Sequence, residues 1–246
     1  MLMKNYKLTI QYDGTKYNGW QKQGNTKNTI QERFENILFR MCGEETEIFA
    51  SGRTDAGVHA EGQVANFKTR IDKTCEEITS YLNCYLPEDI VVKKTEEVQE
   101  RFHSRLNAVS KTYEYSIVTK KPEVFIRKYV TKVEKKPDIE KMKKASELIL
   151  GKHDFKGFSS VGKTKKSTVR VINFIDIYEE KDIIRIRINA TGFLYNMVRI
   201  ISGTLYQIGT GELSEKVIDE VFESGIREKA GITLPPQGLK LIEVFY

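Results

Sequence analysis

Cysteine and histidine are scarce in this chain. Its 246 residues include three of each, and neither set shows the close spacing of a metal site. The cysteines, Cys42, Cys75 and Cys84, form no CxxC pair, and any disulfide would leave one thiol over. We therefore expect reduced thiols in a cytoplasmic protein, with no bound metal.

Long apolar runs are also missing. No uninterrupted apolar stretch approaches the ~18 residues that a membrane helix needs, and the first residues, MLMKNYKLTIQYDG, contain no apolar signal-peptide core. The 17 glycines and 5 prolines are too few for a low-complexity chain. We expect a soluble globular protein with no membrane partner.

Basic residues are in modest excess and are unevenly placed. The chain has 40 Lys and Arg against 34 Asp and Glu, a net charge of +6. Residues 1–106 contain 15 basic and 16 acidic side chains, so residues 107–246 contain 25 and 18, a net +7. Two stretches, 14–29 and 155–175, carry lysines without any acid. They indicate an anionic partner, although solvated surface loops have the same composition.

The hydrophobic pattern predicts an α+β fold. Apolar residues alternate over residues 6–12, as in a half-buried strand, and recur at helical spacing after Thr29 up to Gly43. Further strands are predicted near residues 48–51, 63–69 and 90–94, and then at 111–118, 168–178, 183–189 and 239–245. Further helices are predicted at 74–86, 138–150, 193–208 and 214–224.

This order suggests two tandem split β-α-β halves, of the ferredoxin or RRM type, with the boundary between residues 106 and 107. The expected sheet is mixed and mainly antiparallel, with helices on one face, and its other face would stay free for a ligand. The first half, 1–106, would carry the Asp55 loop described below. The second, 107–246, would carry the basic loops.

One motif matches the phosphate-loop pattern GxxxxGK[ST]: residues 157–164, GFSSVGKT. A nucleotide hydrolase would need a buried strand before this motif and a helix after it. Polar residues precede it, and β-prone residues such as Val169 and Val171 follow it. A flexible basic loop that touches RNA phosphates fits the surroundings better.

The densest polar cluster is residues 51–59, SGRTDAGVH, between two predicted strands. Its glycines permit a tight turn that would push Asp55 out of the sheet, beside Arg53. An Asp with the usual pKa of about 3.9 is ionised at neutral pH and can act as a nucleophile without a neighbouring base. The same residue types are also common in turns that have no catalytic role.

The string GRTDAGVH at residues 52–59 resembles the signature of the TruA family of tRNA pseudouridine synthases, and residues 12–21 resemble that family's first loop. The resemblance continues in order through residues 102–105, 111–115, 151–155, 192–199 and 238–241.

The resemblance implies isomerisation of uridine to pseudouridine in the tRNA anticodon stem-loop, at positions 38, 39 and 40, without a cofactor. Asp55 would be the nucleophile, attacking either the ribose or the base. The target nucleotide would be flipped out of its stem. The same chemistry on another RNA, or an RNA-binding module without catalysis, are the alternatives.

Further residues receive roles from the resemblance. Arg199, in the second half, and Tyr113 would join Asp55 in catalysis at an active-site cleft between the halves. The arginine would keep the carboxylate ionised, and the tyrosine would stack on the uracil. Taken alone, they could equally be a helix-surface charge and a core tyrosine. The expected substrate-binding residues are Arg53, which would fill the space left by the flipped base, with Thr54, His59, Lys163, Lys165, Lys166 and Leu239. A homodimer is implied as well.

Overall fold

The computed structural model describes residues 2–162 and 164–246, and the chain divides into two compact units. Unit 1 comprises Met1–Val109 and Leu241–Tyr246, and unit 2 comprises Ser110–Lys240. The fold is α+β, with five α-helices among the described residues. None of these helices has both the length and the apolar character needed to span a membrane. No described cysteine forms a disulfide.

Unit 1 contains an antiparallel sheet and two helices. In chain order the elements are β1 (Lys4–Tyr12), α1 (Ile30–Cys42), β2 (Ile48–Ala50), β3 (His59–Thr69), α2 (Cys75–Tyr85) and β4 (Ile90–Val98). The strand order is β4-β1-β3, and β2 pairs with β3. These elements occur in the predicted order.

Short polar side chains set the ends of the helices in unit 1. The hydroxyl of Thr29 accepts a hydrogen bond from the Glu32 amide at 3.3 Å, and Gly43 ends α1 in the left-handed conformation, with φ 73°. At α2, Thr74 and Glu77 form a complete capping box. The predicted start and end of α1 are therefore confirmed.

Unit 2 contains a mixed sheet. Its elements are β5 (Ser110–Val118), β6 (Thr131–Lys132), α3 (Ile139–Glu147), β7 (Gly151–Asp154), β8 (Val169–Glu180), β9 (Ile183–Ala190), α4 (Met197–Gly209) and α5 (Val217–Ser224). The order β5-β9-β8-β7 is antiparallel throughout, whereas β6 runs parallel to β5. A last strand, β10 (Leu239–Phe245), begins in unit 2, and its residues from Leu241 onward belong to unit 1.

Each unit has its own apolar core. In unit 1, Tyr6, Leu8 and Phe67 are fully buried on the sheet, and Trp20 stacks on Phe34 of α1 with ring centroids 6.2 Å apart. In unit 2, the sheet contributes the buried side chains of Tyr115, Ile186 and Ile188, and α4 contributes those of Ile200, Ile201 and Leu205.

Three details of unit 2 differ from the sequence-based prediction. Strands β6 and β7 were not predicted, because β6 has two residues and β7 carries the polar sequence GKHD. Helix α4 begins at Met197, not at residue 193. The apolar spacing of Phe193 and Met197 continues the helical pattern, but Asn196 has a φ of 61°, which a helix interior does not allow.

Candidate active site

The loop that carries Asp55 joins β2 to β3 in unit 1. Asp55 is half-buried and Arg53 is exposed. The Val58 amide donates to the Asp55 carbonyl at 3.1 Å, which closes a turn, and Gly57 has a φ of 78°. Because a positive φ strains residues with a Cβ, the glycine makes this turn possible. The turn presents the Asp55 carboxylate on a short, defined piece of backbone.

A buried glutamine on β3 holds the start of this loop. Gln63 is completely buried, and its amide nitrogen donates to the Gly52 carbonyl at 2.9 Å and to the Tyr12 hydroxyl at 3.4 Å. Its amide oxygen accepts from the Ser51 hydroxyl at 2.8 Å. A buried polar group without partners costs free energy, so these bonds favour this one arrangement. Gln63 thus connects β3 to both the loop and β1.

Tyr12 and Thr54 extend this network. Their hydroxyls lie 2.7 Å apart, and burial raises the pKa of Tyr12 to about 12, although the hydrogen bonds to Thr54 and Gln63 act in the opposite direction. The phenol therefore stays protonated at neutral pH. Thr54 is buried and precedes Asp55 directly, so the network fixes the backbone next to the carboxylate.

The segment after β1 lies against the Asp55 loop at contact distance. The Trp20 amide donates to the Thr54 carbonyl at 3.0 Å, and the Gly57 amide donates to the Tyr17 carbonyl at 3.3 Å. A Cβ on Gly14 would lie only 2.0 Å from the Val58 carbonyl oxygen. Only glycine allows the two backbones to approach this closely.

His59 closes the other end of the loop. Its ring is buried, and Nδ1 accepts a hydrogen bond from the Gly14 amide at 3.0 Å and lies 3.2 Å from a carboxylate oxygen of Asp13. The side chains of Thr54 and His59 are thus buried within unit 1. Any contribution that they make to substrate binding passes through the loop that they hold.

In unit 2, Arg199 lies on the first turn of α4 and is half-buried. Its Nε donates to the Leu234 carbonyl at 2.7 Å, and its Nη1 donates to Oδ1 of Asn196 at 2.6 Å. Two acceptors on two different groups fix the plane of the guanidinium. The side chain is therefore oriented before any substrate binds.

Both acceptors of Arg199 are themselves fixed. Asn196 adopts φ 61° and donates to the Ser160 hydroxyl at 3.1 Å. The segment that supplies Leu234 crosses α4 closely, since a Cβ on Gly203 would lie 1.9 Å from the Ile232 carbonyl oxygen. The Gly231 amide also donates to the Thr204 hydroxyl at 2.9 Å. The position of Arg199 therefore depends on backbone packing against α4.

Tyr113 and Leu239 also belong to unit 2. Tyr113 lies on β5 and packs edge to face with Phe193, with ring centroids 5.0 Å apart. Leu239 is buried at the first position of β10.

The next inward-facing residue of β5, Tyr115, donates its hydroxyl to the Pro235 carbonyl at 2.6 Å. Burial raises the pKa of Tyr115, and the charge of Arg199 acts to lower it. These contacts join β5, α4 and the 234–235 backbone.

The basic loop between β7 and β8 has no phosphate-loop geometry in its described residues. Lys165 and Lys166 are exposed, and the Lys166 amide donates to the Thr164 hydroxyl at 3.0 Å. Lys163 lies outside the described residues. The chain after Thr164 leads into strand β8, not into a helix, whereas a phosphate loop requires a helix there. Among the described residues, no group of three His, Cys, Asp or Glu side chains could hold a metal ion.

Sequence reasoning missed several residues that hold the candidate site. Gln63 and Leu234 carried no recognisable signal, because a single amide or an apolar residue is common anywhere in a chain. Asn196 lies within the family-like string 192–199, but its hydrogen bond to Arg199 is not visible in the sequence. Tyr12 lies within the string that resembles the family's first loop, but its partnership with Thr54 is not visible in the sequence. The string at residues 52–59 marked the loop, with Thr54 and His59 in it, but not Gln63 and Tyr12, which support the loop from β3 and β1.

Comparison with known proteins identifies the family. A family model described as tRNA pseudouridine synthase matches residues 8–107 and 145–246. The chain is 49% identical over 245 residues to tRNA pseudouridine synthase A 2 of Clostridium perfringens, covering 99% of this chain and 100% of that protein. It is 49% identical to tRNA pseudouridine synthase A of Bacillus sp. strain KSM-64, covering 93% and 94% of the two chains. For tRNA pseudouridine synthase A of Clostridium botulinum the identity is 46%, with coverage of 99% and 100%. This chain belongs to the tRNA pseudouridine synthase family.

Proposed function

We propose that this protein isomerises uridine to pseudouridine in tRNA. The bond between uracil N1 and ribose C1′ breaks, a bond between C5 and C1′ forms, N1 gains a proton and C5 releases one. No electrons are transferred and no energy donor is required. The observation that supports this function best is the Asp55 loop, whose signature residues stand on the turn between β2 and β3 in a chain of this family.

We assign the nucleophile to Asp55. A half-buried carboxylate on a turn held by Gln63, Thr54 and His59 offers a fixed oxygen to a nucleotide brought to it. Such positioning lowers the entropic part of the barrier, because the reacting groups need no further search. The proposal leaves both ribose C1′ and uracil C6 as the point of attack.

We assign supporting roles in catalysis to Arg199 and Tyr113. The Arg199 guanidinium, oriented by Leu234 and Asn196, would act as the cation for the Asp55 carboxylate. Tyr113, fixed edge to face against Phe193, would stack on the target uracil, and Leu239 would pack against the base. Exposed Arg53 would fill the space that the flipped base leaves.

The substrate is proposed to be the anticodon stem-loop, at positions 38, 39 and 40. The acid-free stretches 14–29 and 155–175, which include Lys163, Lys165 and Lys166, would contact its phosphates, so binding should weaken with salt. We further propose a cytoplasmic homodimer. For the fold, we propose that each half, 1–106 and 107–246, is a split β-α-β unit with its helices on one face. The catalytic residues would meet in a cleft between the halves.

Tritium release from tRNA labelled at uracil C5 tests the function. Wild-type protein should release tritium from unmodified tRNA, and Asp55→Asn should abolish release, because an amide is a poor nucleophile. Asp219→Asn, which alters an exposed carboxylate on α5, is the matched control and should retain activity.

Two outcomes would contradict the proposal. Absence of release by wild-type protein on every unmodified tRNA would refute the enzymatic function. Equal release by Asp55→Asn and wild type would refute the assigned nucleophile. Mapping pseudouridine in the product then tests the three positions separately.

A further inference from the structure

The connection between β5 and β6 carries an exposed aromatic side chain in unit 2. Phe125 is 89% exposed, and Val124 beside it is 65% exposed, so no described part of the chain covers them. Residues 119–130, which we name the β5–β6 turn, lie between the two stretches matched by the family model. The family match therefore gives this turn no role.

The turn is an ordered structure. The Arg127 amide donates to the Glu123 carbonyl at 3.0 Å, and the Tyr129 amide donates to the Ile126 carbonyl at 2.8 Å. Nη1 of Arg127 donates to the Val124 carbonyl at 3.3 Å. Parallel pairing of β5 with β6 holds both ends. Phe125 thus projects from a folded turn, and covering its ring with a partner would be favourable because the ring leaves water.

The surroundings of Phe125 are cationic. Residues 119–132, which comprise the β5–β6 turn and strand β6, contain five basic side chains and one acid, Glu123. The basic residues are Lys120, Lys121, Arg127, Lys128 and Lys132. Lys120 pairs with Asp182 at 3.2 Å, in an exposed pair that contributes little. Among the described residues, no carboxylate pairs with Lys121 or Arg127. The turn therefore presents positive charge next to an apolar ring.

This combination distinguishes Phe125 from another exposed aromatic residue. Tyr85, which is 53% exposed at the end of α2, packs against Tyr81 at 4.7 Å and is followed by Glu88 and Asp89. An aromatic ring among cations is what single-stranded nucleic acid recognises, since bases stack on the ring while phosphates meet the charges.

We propose that the β5–β6 turn is a second RNA-contact site, at which Phe125 stacks on an unpaired nucleotide of the bound tRNA. Lys121 and Arg127 contact the phosphates that flank this nucleotide. The proposal rests on the proposed function, because it takes tRNA as the ligand. A symmetric contact between two copies through this turn would bring two cationic surfaces together, so charge favours the polyanion.

Binding of an unmodified tRNA transcript tests the site. Phe125→Ala should weaken binding about 5- to 150-fold, the range expected for loss of one stacked base. Phe125→Tyr should retain wild-type affinity. Phe125→Leu, which keeps the apolar bulk but removes the flat ring, should weaken binding nearly as much as alanine. Tyr85→Ala is the control and should bind within about two-fold of wild type.

A fluorescent variant reports stacking directly. The chain's single tryptophan, Trp20, is buried, so Phe125→Trp adds one exposed indole. We expect tRNA to quench the added red-shifted emission with the same dissociation constant that binding gives. Affinity unchanged in Phe125→Ala, or emission unaffected by saturating tRNA, would overturn the proposal.

The same variants separate the alternatives. If Phe125→Ala changes the sedimentation of the free protein while Phe125→Leu does not, the turn is an interface between protein copies and the proposal is wrong. If wild-type protein binds the transcript through Phe125 but releases no tritium, the contact site stands and the proposed function fails. If tritium release is normal and Phe125→Ala matches wild type in binding, the proposed function stands and the contact site is wrong.

Discussion

The Asp55 loop and Arg199, on the first turn of α4, are held in place in different ways. The Asp55 loop is fixed largely by neutral hydrogen bonds from buried neighbours, among them Gln63 and Tyr12. Arg199 is fixed by a backbone carbonyl 35 residues away in sequence, that of Leu234, and by Asn196 in a left-handed conformation. In both regions a glycine lets two backbones touch, Gly14 in unit 1 and Gly203 in unit 2.

The difference suits the charges that each region must present. Hydrogen bonds between neutral groups stiffen the Asp55 loop through Ser51, Gly52 and Thr54. A guanidinium has five donors, and two of them can be used for anchoring while others remain for a substrate or a carboxylate. Loss of one of the two groups that anchor Arg199 should therefore affect chemistry more than folding.

Among changes to the two groups that anchor Arg199 and to Arg199 itself, Arg199→Lys should produce the largest effect on catalysis. A lysine cannot reach both the Leu234 carbonyl and Asn196 Oδ1 in a planar fork, so the cation loses its orientation. We expect kcat to fall about 10²- to 10³-fold, the range for loss of one preorganised electrostatic contact. The unfolding free energy should change by less than about 1 kcal/mol. Single-turnover kinetics and urea unfolding measure the two effects.

Asn196→Gly separates orientation from charge. Glycine accepts the positive φ at this position but removes the acceptor for Nη1. We expect a smaller loss of kcat, about 5- to 10-fold, because the Leu234 carbonyl still binds Nε. A loss in Asn196→Gly as large as in Arg199→Lys would show that one acceptor alone sets the orientation.

Gly14→Ala tests the close backbone contact in unit 1. The new Cβ would lie 2.0 Å from the Val58 carbonyl oxygen, and a backbone group cannot move aside cheaply. We expect the unfolding free energy to fall by about 3 kcal/mol, with loss of activity. Gly24→Ala, in the same connecting segment but with no atom within 4 Å, is the control and should leave stability within about 0.5 kcal/mol. Equal stability of the two variants would contradict the contact.

Gln63→Leu tests the buried hydrogen-bond network, and its expected effect on stability is of intermediate size. The change leaves the Gly52 carbonyl and the Ser51 hydroxyl without the partner that Gln63 supplies, at a cost of about 1–3 kcal/mol. Because Gln63 is buried, we expect kcat to fall more than KM rises. Gln11→Leu, at an exposed position of β1, should change neither. A rise in KM with unchanged kcat would show that Gln63 acts on binding and not on the loop.

The sequence predicted contiguous features well. The start and end of α1 follow from Thr29 and Gly43, whose capping preferences are local. The turn around Asp55 follows from Gly57 in the same way. Helix α4 was placed four residues too early because apolar spacing does not reveal a positive φ, and Asn196 is among the few residues that tolerate one.

Long-range support could not be predicted. Every residue type has a backbone carbonyl, so the identity of residue 234 does not indicate that its carbonyl accepts a hydrogen bond from Arg199. The same holds for Gln63, which reads as one polar residue on a strand. Contiguous motifs therefore point to candidate residues for the reaction, and the fold is needed to show what holds them.

The smallest predicted effect is on the pH dependence of stability. The pKa of Tyr12 is raised to about 12 in the folded protein, whereas an unfolded tyrosine has a pKa of about 10. Between these values the unfolded state loses the proton and the folded state keeps it, so this residue's stabilising contribution is complete below pH 10. It then declines by about 1.4 kcal/mol per pH unit until about pH 12. Tyr12→Phe should remove up to one proton from that slope when urea unfolding is measured between pH 10 and pH 12. Identical slopes in the two proteins would mean that the phenol is not shielded from solvent as the network with Thr54 and Gln63 requires.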